Sequence, residues 1–114
     1  MTIPDDLVVR ARASISPVEL WGLMEQKPDR FVVIDVRNGP VSLLLPGAIR
    51  IPHHLIASRL DELPREKLVV LYSWGSDCNL ATRSVASLLD SGFDARELTG
   101  GISGWSLLKL PLEG

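Results

Sequence analysis

Two stretches of the chain are almost wholly apolar: Phe31-Val32-Val33-Ile34-Asp35-Val36, broken by Asp35, and Leu68-Val69-Val70-Leu71-Tyr72. Runs this short, β-branched and non-alternating predict strands covered on both faces. Around them the apolar period changes to that of a helix. Ser16-Pro17-Val18-Glu19 predicts a helix start, with Ser16 as cap, Pro17 at the first helical position and Glu19 completing a capping box. That helix is expected to reach about residue 25, with Leu20, Leu23 and Met24 facing inward and Lys27-Pro28 ending it. Ala81, Val85, Leu88 and Leu89 recur at i, i+4, i+7 and i+8, which predicts a second helix over 79–91, stopped by Gly92. Shorter signals predict strands at 12–15, 48–51 and 95–98 and a helical turn around Trp105. A brief helix is expected over 54–63, with Leu55, Leu60 and Leu63 turned inward. Residues 1–11 read as a loosely held arm.

Alternating strands and helices of this kind imply an α/β fold, an open, mostly parallel sheet flanked by helices. Ligands of such sheets bind beyond the carboxyl ends of the strands. The polar loop Ser73-Trp74-Gly75-Ser76-Asp77-Cys78-Asn79 lies at such an end. The 114 residues suit one domain spanning 1–114, with no repeat or linker to divide it. A formal charge of -2 gives no electrostatic reason to expect nucleic acid or an anionic membrane as partner. The start Met1-Thr2-Ile3-Pro4-Asp5-Asp6 lacks the basic and apolar regions of a signal peptide. No apolar stretch approaches the roughly 20 residues of a membrane-spanning helix. A cytoplasmic protein is the expectation. With one cysteine, no intramolecular disulfide is possible.

Several segments, in order, carry a family likeness. Val33-Ile34-Asp35-Val36-Arg37 ends a strand in Asp-x-Arg, and Pro46-Gly47-Ala48-Ile49-Arg50-Ile51-Pro52 follows. Val69-Val70-Leu71-Tyr72 leads into the polar loop, then come Gly92-Phe93 and Leu98-Thr99-Gly100-Gly101-Ile102-Ser103-Gly104-Trp105. Together these resemble the rhodanese family, in which an active-site cysteine carries sulfane sulfur as a persulfide. The resemblance implies a thiosulfate sulfurtransferase-like activity, with a small sulfur donor such as thiosulfate or a persulfide, or a protein sulfur acceptor, as partner. It implies no cofactor and leaves the oligomeric state open. Asp35 and Arg37 are then a structural motif.

The chain departs from the family at two places. Leu43-Leu44-Leu45 replaces the usual Gly-His-Ile before Pro-Gly-Ala, and Ser73 stands where the cysteine usually follows the strand. Two registers of the active loop therefore remain open. One puts Ser73 at the usual cysteine position, followed by a loop about two residues longer than typical. The other matches Cys78-Asn79-Leu80-Ala81-Thr82-Arg83-Ser84 to the Cys-x-x-x-x-Arg-Ser spacing. Tyr72 to Asn79 also resembles a subgroup with a Tyr-Cys-Trp-x-x-x-Cys-Asn loop, of which only the second cysteine is kept here.

Cys78 is then the candidate sulfur carrier, placed at a helix start where thiolates are stabilised, with Asp77 beside it acting against that. Arg83 would offer charge to an anionic donor, or else be solvated. Ser73, Trp74, Gly75, Ser76, Asp77 and Asn79 form the surrounding loop. The alternative is a catalytically silent binding or regulatory module, because position 73 is a serine. Ser73 as nucleophile would need a base, and neither His53 nor His54 fits a triad arrangement. Phosphatase chemistry on a related fold uses Cys-x₅-Arg, which the spacing from Cys78 to Arg83 does not match. No metal site is expected, because the adjacent His53 and His54 point apart and no third ligand is suitably spaced. Trp74 is either a pocket wall or an ordinary packing aromatic, and Trp21 and Trp105 read as packing residues.

Overall fold

A computed structural model describes residues 5–114. In chain order its elements are α1 (Asp5–Arg12), β1 (Ser14–Ile15), α2 (Pro17–Gln26), β2 (Phe31–Asp35) and β3 (Ile49–Arg50). Two 3-10 helices follow, His53–Ser58 and Leu60–Glu62, then β4 (Leu68–Tyr72), α3 (Leu80–Asp90), β5 (Ala95–Leu98) and α4 (Gly101–Leu107). The strands form one five-stranded sheet in the order β1-β5-β4-β2-β3. Every strand pairing in it is parallel, as the continuous apolar runs imply.

The two-residue period of the strands explains the two-faced core. Val69 and Leu71 of β4 point to one side with Ile34, where they meet Ala81, Val85 and Leu88 of α3, Ile56 of the first 3-10 helix and Leu63 just after the second. Val70 and Tyr72 point to the other side with Phe31 and Val33, against Leu20 of α2 and Ile102 and Trp105 of α4. Burying each Val, Leu, Ile or Phe among these is worth about 1.5–3 kcal/mol, so both faces hold the sheet. Trp21 and Trp105 pack edge to face with centroids 6.3 Å apart, in the packing role expected of them.

The capping box at α2 is formed in both directions: the Glu19 N–H donates to Ser16 Oγ and the Ser16 N–H to Glu19 Oε1. Three elements differ from the sequence expectation. Residues 5–11, read as part of an arm, form α1 together with Arg12, expected instead to open the strand at 12–15; α1 packs through Val9 on the α3 side of the sheet, and residues 1–4 of the arm lie outside the described residues. The brief helix expected over 54–63 is instead a pair of 3-10 helices. Its N–H groups at Leu55, Arg59 and Leu63 donate three residues back, to Pro52, Ile56 and Leu60. Leu89, expected on the inner face of α3, is exposed, because the helix turns its Ala81-Val85-Leu88 stripe to the sheet.

Parallel strands leave their carboxyl ends on one edge of the sheet. Asp35 ends β2 and Tyr72 ends β4, and the two are paired in register. Residues 73–79 leave the sheet there and enter α3.

Candidate active site

Asp35 is fully buried, so its carboxylate needs partners. Arg37 provides them: its Nε lies 3.0 Å from both carboxylate oxygens and its Nη2 donates to Oδ2 at 2.6 Å. The Tyr72 hydroxyl donates to the same Oδ2 at 3.1 Å and accepts the Leu45 N–H at 3.2 Å. Arg37 Nη2 also reaches the Leu43 carbonyl at 2.7 Å, so the Leu43-Leu44-Leu45 stretch closes over the ion pair. Burial opposes the Arg37 charge, but hydrogen bonding to Asp35 and its negative charge more than offset this and raise the Arg37 pKa. Burial raises the Tyr72 pKa above the usual phenol range against the Leu45 hydrogen bond, and the Asp35 charge adds to the rise. The Arg37 guanidinium then stacks on Trp74, 4.6 Å from the ring centroid. The ion pair is thereby joined to the loop.

That loop is held at its start by α4. Ser73, almost fully buried, turns its carbonyl to the Ile102 N–H at 2.9 Å, and the Trp74 carbonyl accepts from the Ser103 N–H at 3.0 Å. The approach is close enough to require glycine at position 101. Its φ is +58°, and a Cβ there would stand 2.6 Å from the Ser73 carbonyl oxygen and 2.8 Å from the Gly75 nitrogen.

The chain then turns back on itself, with the Cys78 N–H donating to the Gly75 carbonyl at 3.1 Å. This turn brings Cys78 Sγ to 3.0 Å from Ser73 Oγ. The two registers left open by the sequence thus name two residues whose reactive atoms are neighbours. Cys78 is half-buried and directly precedes Asn79, the N-cap position of α3. Asn79 is exposed and donates to Asp6 Oδ2 at 3.4 Å rather than capping the helix with its side chain. Ser76 and Asp77 are exposed, and Asp77 Oδ1 lies 3.3 Å from where a Cβ on Gly75 would stand. Arg83 is exposed a turn into α3. Trp74 is 44% exposed and walls a groove of about 660 Å³ with Leu43, Ile102, Leu107 and Leu112. That groove opens on the Trp74 side of the loop and is not lined by Cys78.

Three residues given no role in the sequence reading, Arg10, Thr82 and Glu97, contact the loop or each other here. Arg10 of α1 donates from Nη1 to the Ser76 carbonyl at 2.6 Å and from Nη2 to the Cys78 carbonyl at 2.9 Å. Its Nε pairs with Glu97 Oε1 at 3.2 Å, and the Thr82 hydroxyl donates to the same buried carboxylate at 2.9 Å. A signal for α1 does exist in the sequence: Asp5 and Asp6 precede Arg10 and Arg12, the charge order that suits a helix dipole. Nothing local in the sequence links Arg10 to residues 76 and 78.

His53 has its hydrogen-bond partner on α3. Its Nδ1 lies 2.7 Å from the buried Ser84 Oγ, and burial, followed by the charges of Arg83 and His54, lowers its pKa. Among the described residues no three His, Cys, Asp or Glu side chains are grouped to hold a metal ion.

A model of the rhodanese-like domain matches residues 16–108. The chain is 32% identical over 88 residues to a sulfurtransferase of Allochromatium vinosum, covering 71% of this chain and 77% of that protein. It is 30% identical over 112 residues to an HTH-type transcriptional regulator of Mycobacterium tuberculosis, covering 96% of this chain but only 46% of the regulator. Among solved structures, a protein from Lactobacillus plantarum matches with a TM-score of 0.88 and 33% identity, over 95% of this chain and 93% of that one.

Two outcomes follow from the geometry. Gly101→Ala should push the Ser73 carbonyl out of place and lower the melting temperature. Differential scanning calorimetry checks this, and an unchanged melting temperature would show that residues 73–75 give way freely. The depressed His53 pKa makes the unfolded chain the better proton binder just below the ordinary value of 6.5, so His53 stabilises the fold less as pH falls through that range. Melting temperatures at pH 7.5 and pH 5.5 should therefore differ less in His53→Asn than in the wild type; equal differences would remove His53 from the account.

Proposed function

Given that the chain belongs to the rhodanese-like domain family, we propose that it moves sulfane sulfur through a persulfide on Cys78. The observation that carries this reading is the 3.0 Å separation of Cys78 Sγ and Ser73 Oγ. It supports placing the sole cysteine beside the residue that immediately follows β4, where the family resemblance expects the sulfur carrier. The likeness to a sulfurtransferase at 32% identity supports the same chemistry.

Cys78 gives up its proton to solvent and its thiolate attacks the outer sulfur of thiosulfate. A new S–S bond forms to Sγ, the bond within thiosulfate breaks, and sulfite departs with the electron pair. A thiol persulfide serves as donor in the same way, with its thiolate as leaving group. An acceptor nucleophile, a small thiolate or a protein cysteine, then attacks the terminal sulfur and Cys78 leaves as thiolate. The Ser73 hydroxyl is placed to donate to the sulfur in its anionic form. The start of α3, which Cys78 precedes, adds partial positive charge, and Arg83 is the cation assigned to an anionic donor. Asp77 opposes the approach of such a donor.

A second reading is favoured by Ser73 itself: a domain with serine at the usual cysteine position acts as a silent binding or regulatory module. The 30% likeness to a transcriptional regulator more than twice as long supports it.

The two readings part on one experiment. Thiosulfate or polysulfide should add one sulfur atom to the purified wild type by intact mass, removable by cyanide or dithiothreitol. Cys78→Ala should take up none, and Ser73→Ala should take up sulfur more slowly. No adduct from either donor on a thiol that iodoacetamide still alkylates would sink the transfer reading.

A further inference from the structure

Cys78 is gripped from an element that lies outside the segment the family model matches. That match begins at residue 16, whereas α1 ends at Arg12. Yet Arg10 on α1 holds the carbonyls of Ser76 and Cys78, at 2.6 and 2.9 Å, on either side of Asp77. The Cys78 N–H is already committed to Gly75 and its Sγ faces Ser73 Oγ, so the Arg10 bond fixes the remaining backbone group of that residue.

Arg10 is itself held. Glu97 lies on β5, is 6% exposed, and takes two contacts from the guanidinium, at 3.2 Å from Nε and 3.3 Å from Nη2. Thr82 on α3 donates to the same carboxylate and also accepts from Arg10 Nε at 2.9 Å. One planar cation therefore ties α1, α3, β5 and the loop together through five contacts from its fixed fork, the Nε–H being shared between Thr82 and Glu97. A lysine would keep the charge beside Glu97 but could not serve both loop carbonyls as well.

We infer that Arg10 is a positioning residue for Cys78, and that α1 is a working part of the active site. This rests on the sulfur-transfer reading above only for its effect on turnover. The placement of the thiol is tested without it. With the loop untied, Cys78 Sγ leaves the alignment over Ser73 and the start of α3 that sulfur uptake needs. Misplacement of a reacting group by about 1 Å costs up to about 100-fold in rate. The loss falls on the rate at saturating donor and leaves the half-saturating donor concentration in place, because Arg10 grips loop backbone.

The test compares Arg10→Lys and Arg10→Ala with the wild type in three measurements: melting temperature, iodoacetamide alkylation rate of Cys78, and sulfur uptake from thiosulfate by intact mass. Arg10→Lys should keep a melting temperature near wild type through Glu97. It should nevertheless change the alkylation rate at least about threefold and lose sulfur uptake about tenfold at saturating donor. Arg10→Ala should show both changes together with a lower melting temperature. If Arg10→Lys alkylates and takes up sulfur like the wild type, Arg10 only stabilises the fold and the inference is overturned, whether or not Arg10→Ala folds. If the wild type takes up no sulfur, the transfer reading fails, while the alkylation rates still decide the role of Arg10.

Discussion

Between β4 and α3 the chain must leave a buried strand and enter a helix within residues 73–79, and the carbonyl oxygens along that path need donors. Those of Ser73 and Trp74 are met by N–H groups at the start of α4, that of Gly75 by the Cys78 N–H, and those of Ser76 and Cys78 by Arg10. Polar backbone left without partners near a core is costly, so this set of bonds determines where the loop can lie. The β5-to-α4 corner stands behind most of it. β5 supplies Glu97, which anchors Arg10, and then runs through Gly100 to Gly101, whose missing side chain admits the Ser73 carbonyl. Cys78 has its position as a consequence of these contacts.

A second constraint acts from the neighbouring strand. Asp35 carries a buried negative charge that Arg37 and Tyr72 satisfy, and the Arg37 guanidinium presents its face to Trp74. Removing one partner from a buried pair of this kind costs about 3–5 kcal/mol, since the other charge is left uncompensated. The ion pair thus ties the end of β2 to Tyr72 of β4 and to the Leu43 carbonyl. Its link to the site runs through the aromatic ring of the loop.

Much of this was readable along the chain wherever the signal is local. Ser16 and Glu19 form their capping box, and the runs at 31–35 and 68–72 are adjacent parallel strands covered on both faces. Gly100 and Gly101 both adopt positive φ at the turn into α4. What escaped the sequence is what depends on long-range contact. Arg10 meets residues 66 to 87 positions away, so no window around it reveals its partners. The neighbouring places of positions 73 and 78 depend on a turn whose shape comes from α4 and α1. Residues 54–63 illustrate the remaining kind of failure, because their apolar spacing suits either an α-helix or successive 3-10 turns.

Residues 73 and 78 bring their reactive atoms to neighbouring points of the folded loop, 3.0 Å apart, so a cysteine at position 73 would stand against Cys78. Ser73→Cys tests it without reference to any substrate. The account predicts that mild oxidation joins Cys78 to the new thiol within one molecule, abolishing free-thiol titration until dithiothreitol restores both groups. Two thiols that remain free under the same oxidant, in a protein with wild-type circular dichroism, would contradict it.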